Sequence, residues 1–396
     1  MRYIIILSIF IGVSYANTIT LETILKSTKK HNQHAKALEQ HSLALEAKNQ
    51  ANTALDPIEV FATGTRANPT DASSEYEYGA GLSKKILLNN IQAKEQLITR
   101  LNNQATLLEK EVEIVSFHHT IKNLYHQHCI DHNEYQSLVK NYNDFQKLYN
   151  KKEKAYNYQE ISKTELMQLA IEKNSLSTQL QQSKMQKEQS KKSLLSLAYI
   201  PYKSTNRLSC QDRYPITQNI TLPKDSYNLS TQAYKKRLQS SKTTLQRYSS
   251  TIDSLDVTMQ YDKEIDMQKY TVGLSVPLNF TSKRSQQERV TAMYQERTTT
   301  LEYHESMHQK RIYAKQIIER LKSKAIMIES IKKNLKSYKN ELLPLIKKSY
   351  DLGESSVIEY LLNRQKYYQL KQELYKTQRE YYQRLFGLYS LIQTKE

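Results

Sequence analysis

Five histidines crowd one short stretch, where His118, His119, His126, His128 and His132 surround Cys129 and Asp131. His128 and His132 stand four apart, so a helix would carry both on one face, as a two-point metal site requires. Local spacing fixes no third ligand, and a polar helix acquires histidines readily. A surface or packing role is therefore the expectation, and no metal or cofactor is assigned. Nothing else in the chain suggests catalysis. There is no glycine-rich phosphate loop, no HExxH pair and no nucleophile with an oriented base, so no enzyme is expected. Cys129 and Cys210 are the only cysteines. Two cysteines make no framework, and the sequence leaves their pairing open.

The elements that carry these residues follow from composition. The 396 residues include only 7 Gly and 7 Pro against 30 Tyr, and the mean hydropathy is −0.72. Few breakers among many Lys, Glu, Gln and Leu imply long helices with narrow apolar seams. Such a chain is expected to be extended and to pack largely against neighbours. The formal charge of +18 would suggest nucleic acid in another setting. Here the basic residues are scattered among acids, and no nucleic-acid partner is expected.

The first residues address the compartment. Arg2, an apolar run from Ile4 to Val13 and then Ser14-Tyr15-Ala16 have the order of a secretory signal, with cleavage expected after Ala16. Asn17 rather than Cys follows, which argues against an N-terminal lipid anchor. No later stretch approaches the roughly 18 continuous apolar residues of a membrane helix. A mature chain seated in a membrane would have to use strands.

An internal repeat organises the remainder. Tyr78-Gly-Ala-Gly-Leu-Ser-Lys-Lys-Ile86 is similar to Tyr270-Thr-Val-Gly-Leu-Ser-Val-Pro-Leu278, and Ala155 through Glu165 falls against Ser349 through Glu359. The chain accordingly divides into a signal peptide (1–16), a first-repeat helix (17–56) and a strand pair (57–88). A long helix, turn and return helix (89–200) and a linker (201–225) come next. The second repeat supplies a helix (226–253), a strand pair (254–282), and a long helix, turn and terminal helix (283–396).

The strands show period-two alternation. Leu255, Val257, Met259 and Tyr261 alternate with polar residues, as do Tyr270, Val272, Leu274, Val276 and Leu278, and Tyr76, Tyr78, Ala80 and Leu82. Apolar on one face and polar on the other is what a lipid-embedded barrel requires. The strand near Ile58–Arg66 is weaker, because Phe61 falls on the face of Glu59 and Thr63. Ala67–Ser74 would be its outer loop. Tyrosines 76, 78, 261 and 270 suit a membrane interface in a chain without Trp. In the terminal helix Tyr360, Tyr367, Leu374, Tyr381 and Leu388 keep a strict seven-residue spacing beside Leu361, Tyr368, Tyr375, Tyr382 and Tyr389. Two adjacent rows of this period suit a supercoiled stave contacted on both sides.

Four strands cannot close a membrane barrel, and open edges are not tolerated in lipid, so the pattern demands an oligomer. This layout resembles the TolC-like outer-membrane efflux family across essentially the whole mature chain. The marks of the resemblance are Gly273-Leu274-Ser275-Val276-Pro277-Leu278 entering a long helix, then Leu343-Pro344 with Tyr350 and Gly353 before the heptad helix. The resemblance implies a mostly α homotrimer in which each protomer gives 4 strands to a twelve-stranded β-barrel, above an α-helical tunnel in the periplasm. It implies an outer-membrane conduit of a Gram-negative bacterium, in contact with outer-membrane lipid. Its expected partners are a periplasmic adaptor and an inner-membrane transporter of the RND or ABC type. The other reading is a secreted coiled-coil scaffold or adhesin that conducts nothing.

By the same resemblance, the inner end of the tunnel lies at two turns, marked by Gln159 and Gly353. Glu165 and Glu359 match acidic positions just inside the returning helices, and Tyr350 matches a tyrosine of the closing links. Three Glu359 side chains in a narrow pore would repel one another and attract cations. The chain departs from the family pattern at Ser355, where a linking arginine is expected, at Leu362, where a second acid is expected, and at Gln159, which replaces a turn glycine.

Overall fold

The structure is a computed structural model that describes residues 18–54, 56–67, 75–224, 226–264, 267–279 and 282–393. The expected signal peptide and most of the loop expected at Ala67–Ser74 lie outside these residues. The elements in chain order are β1 (Thr18–Ile19), α1 (Leu21–His31), α2 (Gln33–Thr53), β2 (Glu59–Ala67), β3 (Glu75–Leu87), α3 (Ile91–Asn157) and α4 (Lys163–Leu197). They continue with β4 (Arg207–Leu208), α5 (Asn228–Arg247), β5 (Ser254–Lys263), β6 (Gln268–Ser275), α6 (Lys283–Ser337), a π-turn (Tyr338–Leu342), α7 (Leu343–Asp351) and α8 (Val357–Ile392).

The helices run long because nothing interrupts them. Neither α3, with 67 residues, nor α6, with 55, contains Gly or Pro. The long helix expected from Lys283 to about Tyr350 is interrupted once, just before Pro344. Proline lacks an N–H and its ring crowds the carbonyl four residues back, so the preceding turn widens. The Leu343 N–H accordingly bonds the Tyr338 carbonyl, five residues away.

The chain forms two compact units, one made of residues 34–113 and 227–312 and the other of the remainder. The first holds a single antiparallel sheet of order β2-β3-β5-β6. Its register gathers the apolar residues into rows: Val60, Leu82, Met259 and Val272 lie side by side, and Ala62, Ala80, Tyr261 and Tyr270 form the next row. These rows share one face by the period of the pleat, and that face is open, with Val60 and Tyr270 each 77% exposed. The Tyr261 and Tyr270 rings meet across strands with centroids 5.1 Å apart.

The opposite face carries Glu59, Thr63, Glu77, Thr258, Gln260 and Asp262. Phe61 is on it too, and its presence there has a packing reason. Phe61 pairs with Gly81, where a Cβ would stand 2.4 Å from the ring, so the glycine makes room for the aromatic. The sixth strand ends at Ser275, short of the expected Leu278, because Pro277 cannot continue the ladder. Two further ties in this unit join α5 to α3, where Arg237 and Arg247 bond Glu109 and Glu95 at 2.7 and 3.0 Å.

The second unit packs α8 against α3 along the heptad seam. Tyr360, Tyr367, Tyr381 and Leu388 are buried, while most of the adjacent row is half-buried. Arg379 crosses to Asp131 at 2.8 Å and to Glu134. In this unit the linker forms a belt. Its strand β4 pairs in parallel with β1, and Cys210 is disulfide-bonded to Cys129 of α3. Beyond Cys210 the belt is fastened by rings. Tyr125 and Tyr382 donate hydroxyls to the carbonyls of Ser209 and Tyr214 at 2.5 and 2.6 Å, and Tyr381 donates to Thr217 at 3.2 Å.

Candidate functional site

The two expected turns are built alike. The first closes with Glu160 N–H on the Ala155 carbonyl and Gln159 N–H on Tyr156, both at 2.9 Å. The second repeats this with Glu354 on Ser349 at 2.9 Å and Gly353 on Tyr350 at 3.2 Å. This paired closure needs a left-handed residue at its corner. Gly353 supplies it at φ +76°, and Gln159 adopts the same conformation at φ +61°. The glutamine thus keeps the turn geometry at a steric cost that glycine would not bear. Each return helix then starts on a serine, Ser162 or Ser356, whose hydroxyl accepts the N–H of Glu165 or Glu359 at 3.1 or 3.2 Å.

The side chains of the two glutamates part company. Glu165 accepts the Tyr350 hydroxyl at 2.7 Å, and Lys152 of α3 stands 3.4 Å from the same oxygen. The Lys152 ammonium also lies 4.1 Å from the Tyr350 ring centroid, and that ring stacks on Tyr360 at 4.8 Å and 17°. The cluster is mostly enclosed: Tyr350 is 5% exposed, and the Lys152 and Glu165 side chains are 16% and 22% exposed. Burial, followed by the bond to Glu165, raises the Tyr350 hydroxyl well above the ordinary phenol range. Phe145, Leu169, Leu176 and Val357 form the floor of the cluster. Just beyond it Arg364 binds the Asn141 carbonyl at 2.9 Å and lies over the Phe145 ring.

Glu359 stands apart. It is exposed, and its carboxylate has no ion pair among the described residues. Of the expected site residues the fold thus brings together Glu165 and Tyr350 and leaves Glu359 in the open. Ser355 has a buried hydroxyl without a partner, and Leu362 is exposed. No sequence pattern singles out Lys152. It sits in a lysine-rich helix end, where one ammonium among several carries no signature.

The histidines serve the interior. His126 Nδ1 donates to the Lys122 carbonyl at 2.7 Å, and its Nε2 accepts the Tyr214 N–H at 2.9 Å. Tyr382 and Phe386 cover the ring at 4.4 and 4.9 Å. Burial holds His126 neutral by lowering its pKa to about 4. His128 and His132 lie 6.5 Å apart by centroid. His128 is buried and lowered to about 4, first by burial and then by the charges of His132 and Lys191, with Lys187 adding to both rings. Its Nδ1 lies 3.1 Å from Ser190 Oγ. Two lysines beside the pair make a poor field for a cation, and no group of three metal-ligating side chains occurs among the described residues.

The architecture matches solved structures closely. CusC, described with its folding and transmembrane channel formation, superposes with a TM-score of 0.78 over 94% of this chain and 91% of its own, at 13% identity. The fold is that of TolC-like outer-membrane channels. The Campylobacter jejuni outer membrane channel CmeC gives 0.75 over 94% of this chain and 85% of its own, at 16% identity. The Vibrio cholerae outer membrane protein VceC gives 0.76 over 94% and 95%, at 11% identity. No protein-family model matches the chain, and no curated protein matches it significantly in sequence. The TolC-like likeness therefore lives in the fold, with little identity behind it.

Proposed function

We propose that the chain is the subunit of an outer-membrane channel, a passive conduit from periplasm to exterior in a three-component export system. The observation that carries this reading is the sheet. It has an exposed apolar face, a polar opposite face and two strands, β2 and β6, each paired on one side only. In lipid an open edge leaves backbone groups unsatisfied at several kcal/mol each, so the sheet must be completed by further copies. Three copies give twelve strands, a permitted even number, and agree with the TolC-like fold. The secretory signal expected at residues 1–16 directs the chain out of the cytoplasm. The fold also supports docking of the helical ends to a periplasmic adaptor and, through it, to an inner-membrane pump.

In this reading the turns at Gln159 and Gly353 mark the inner end of the conduit. Glu165 and Tyr350 help to hold it shut, and Glu359 lines the narrow passage. The test is conductance of the purified protein in planar bilayers. Small closed-state currents that grow when Tyr350 is changed to Phe and Glu165 to Ala are expected. A membrane-inserted oligomer that conducts no ions even with Glu165→Ala, Tyr350→Phe and Glu359→Ala combined would leave a scaffold as the better account.

A further inference from the structure

We infer that Lys152 is the cationic member of a latch at the inner end, a gating residue that no motif announces. The inference rests on the channel reading above and deepens it. Three elements converge on one carboxylate oxygen: Tyr350 of α7 at 2.7 Å, Lys152 of α3 at 3.4 Å, and Glu165 of α4, which owns it. The ammonium is placed twice over, against the carboxylate and 4.1 Å from the face of the Tyr350 ring. A cation there polarises the phenol and neutralises the acid, so each contact strengthens the other.

Geometry assigns the role to Lys152 and not to its neighbours. Lys151 points to Asp351 at 3.8 Å, with 72% of its own side chain exposed, where screening leaves little. Arg364 is engaged by Asn141, Tyr360 and the Phe145 ring. Ser355, on the opposite turn, carries no charge. Lys152 is the enclosed cation that meets both Glu165 and Tyr350. The latch also joins the two repeats, because α3 and α4 belong to the first and α7 and α8 to the second. Swinging the α7–α8 pair away from the α3–α4 pair would break the Tyr350 bond and leave Lys152 and Glu165 paired within the first repeat. The Tyr350 ring would also leave the Lys152 ammonium, so opening costs the cation–π contact as well.

The test uses the full-length protein in planar bilayers, with Lys152→Met, Lys152→Arg, Lys152→Glu, Glu165→Lys and the double exchange Lys152→Glu with Glu165→Lys. Recovery of each as the same detergent-stable oligomer controls for folding. Loss of the charge in Lys152→Met is expected to raise closed-state conductance about tenfold, the scale of a partly desolvated cation–π contact. Lys152→Arg should stay near wild type, whereas the double exchange, which keeps an ion pair but takes the cation from the Tyr350 ring and the carboxylate from its hydroxyl, should stay leaky. Conductance returned to wild type by the exchange would mark Lys152 as the structural partner of Glu165 alone and overturn its role in the latch. Wild-type conductance in Lys152→Met, with Tyr350→Phe and Glu165→Ala still raising it, would overturn the role of Lys152 and leave the channel gate standing. No change in any of these variants would overturn the gate itself.

Discussion

The belt and the turn cluster lie in the same unit and both rely on tyrosine, but they use it differently. In the belt, buried Tyr125, Tyr381 and Tyr382 donate to backbone carbonyls of a segment that is also disulfide-bonded. At the turns, Tyr350 donates to a carboxylate that shares its charge with a lysine. A bond to a carbonyl has no titrating partner, whereas a bond to Glu165 depends on charge and enclosure. The first arrangement suits a part that must stay in place, and the second suits one that must come apart.

The largest effect expected from this contrast is on the belt. The bridge closes a loop with a sequence separation of 81 residues, and constraint of the unfolded chain by such a loop is worth about 4 kcal/mol. Cys210→Ser should lower the melting temperature under oxidising conditions, and reductant should do the same to the parent protein. Tip variants in the same assay should melt near wild type.

Acid should separate the regions next. Unfolded imidazole binds a proton near its ordinary pKa of 6.5, while His126 in the fold waits until about 4. The unfolded state therefore holds more protons between these values, and stability present above 6.5 is lost as pH falls towards 4, by roughly 3 kcal/mol. His128 follows the same direction. Melting followed from pH 7 to 4.5 should lose its steepest component in His126→Gln.

A smaller effect belongs to the latch. Tyr350→Phe removes a bond to a charged acceptor, worth about 1.5 kcal/mol or tenfold in the closed-to-open ratio, and conductance should report it while belt stability stays put. Alkali acts here with the opposite sign to acid at the belt. The folded Tyr350 pKa is raised above the ordinary 10, so its contribution is complete below pH 10 and is lost as pH rises further. The smallest effect concerns the corners. Gln159→Gly should stabilise by about 0.5–1 kcal/mol, because glycine takes the left-handed corner without strain, and Gly353→Gln should destabilise by a similar amount.

Much of this was legible in the sequence. Period two in Leu255–Tyr261 and period seven in Tyr360–Leu388 place the sheet face and the α8 seam, since both depend only on which residues avoid water. The repeat marks both turns, and the family resemblance singles out Glu165 and Tyr350, whose side chains meet in the fold. What stayed hidden depends on three-dimensional approach. Phe61 breaks the alternation because Gly81, across the strand pair, leaves room for its ring. The pairing of Cys129 with Cys210 needed the belt's path. Lys152 was one lysine among many, and its meaning comes from the two groups it meets.

The account stands most directly on the number of chains that complete the sheet. Protein extracted from outer membranes in mild detergent, weighed by light scattering with detergent subtracted, should contain three chains per particle. A particle of one chain, or protein recovered from the membrane fraction without detergent, would contradict a barrel shared in lipid.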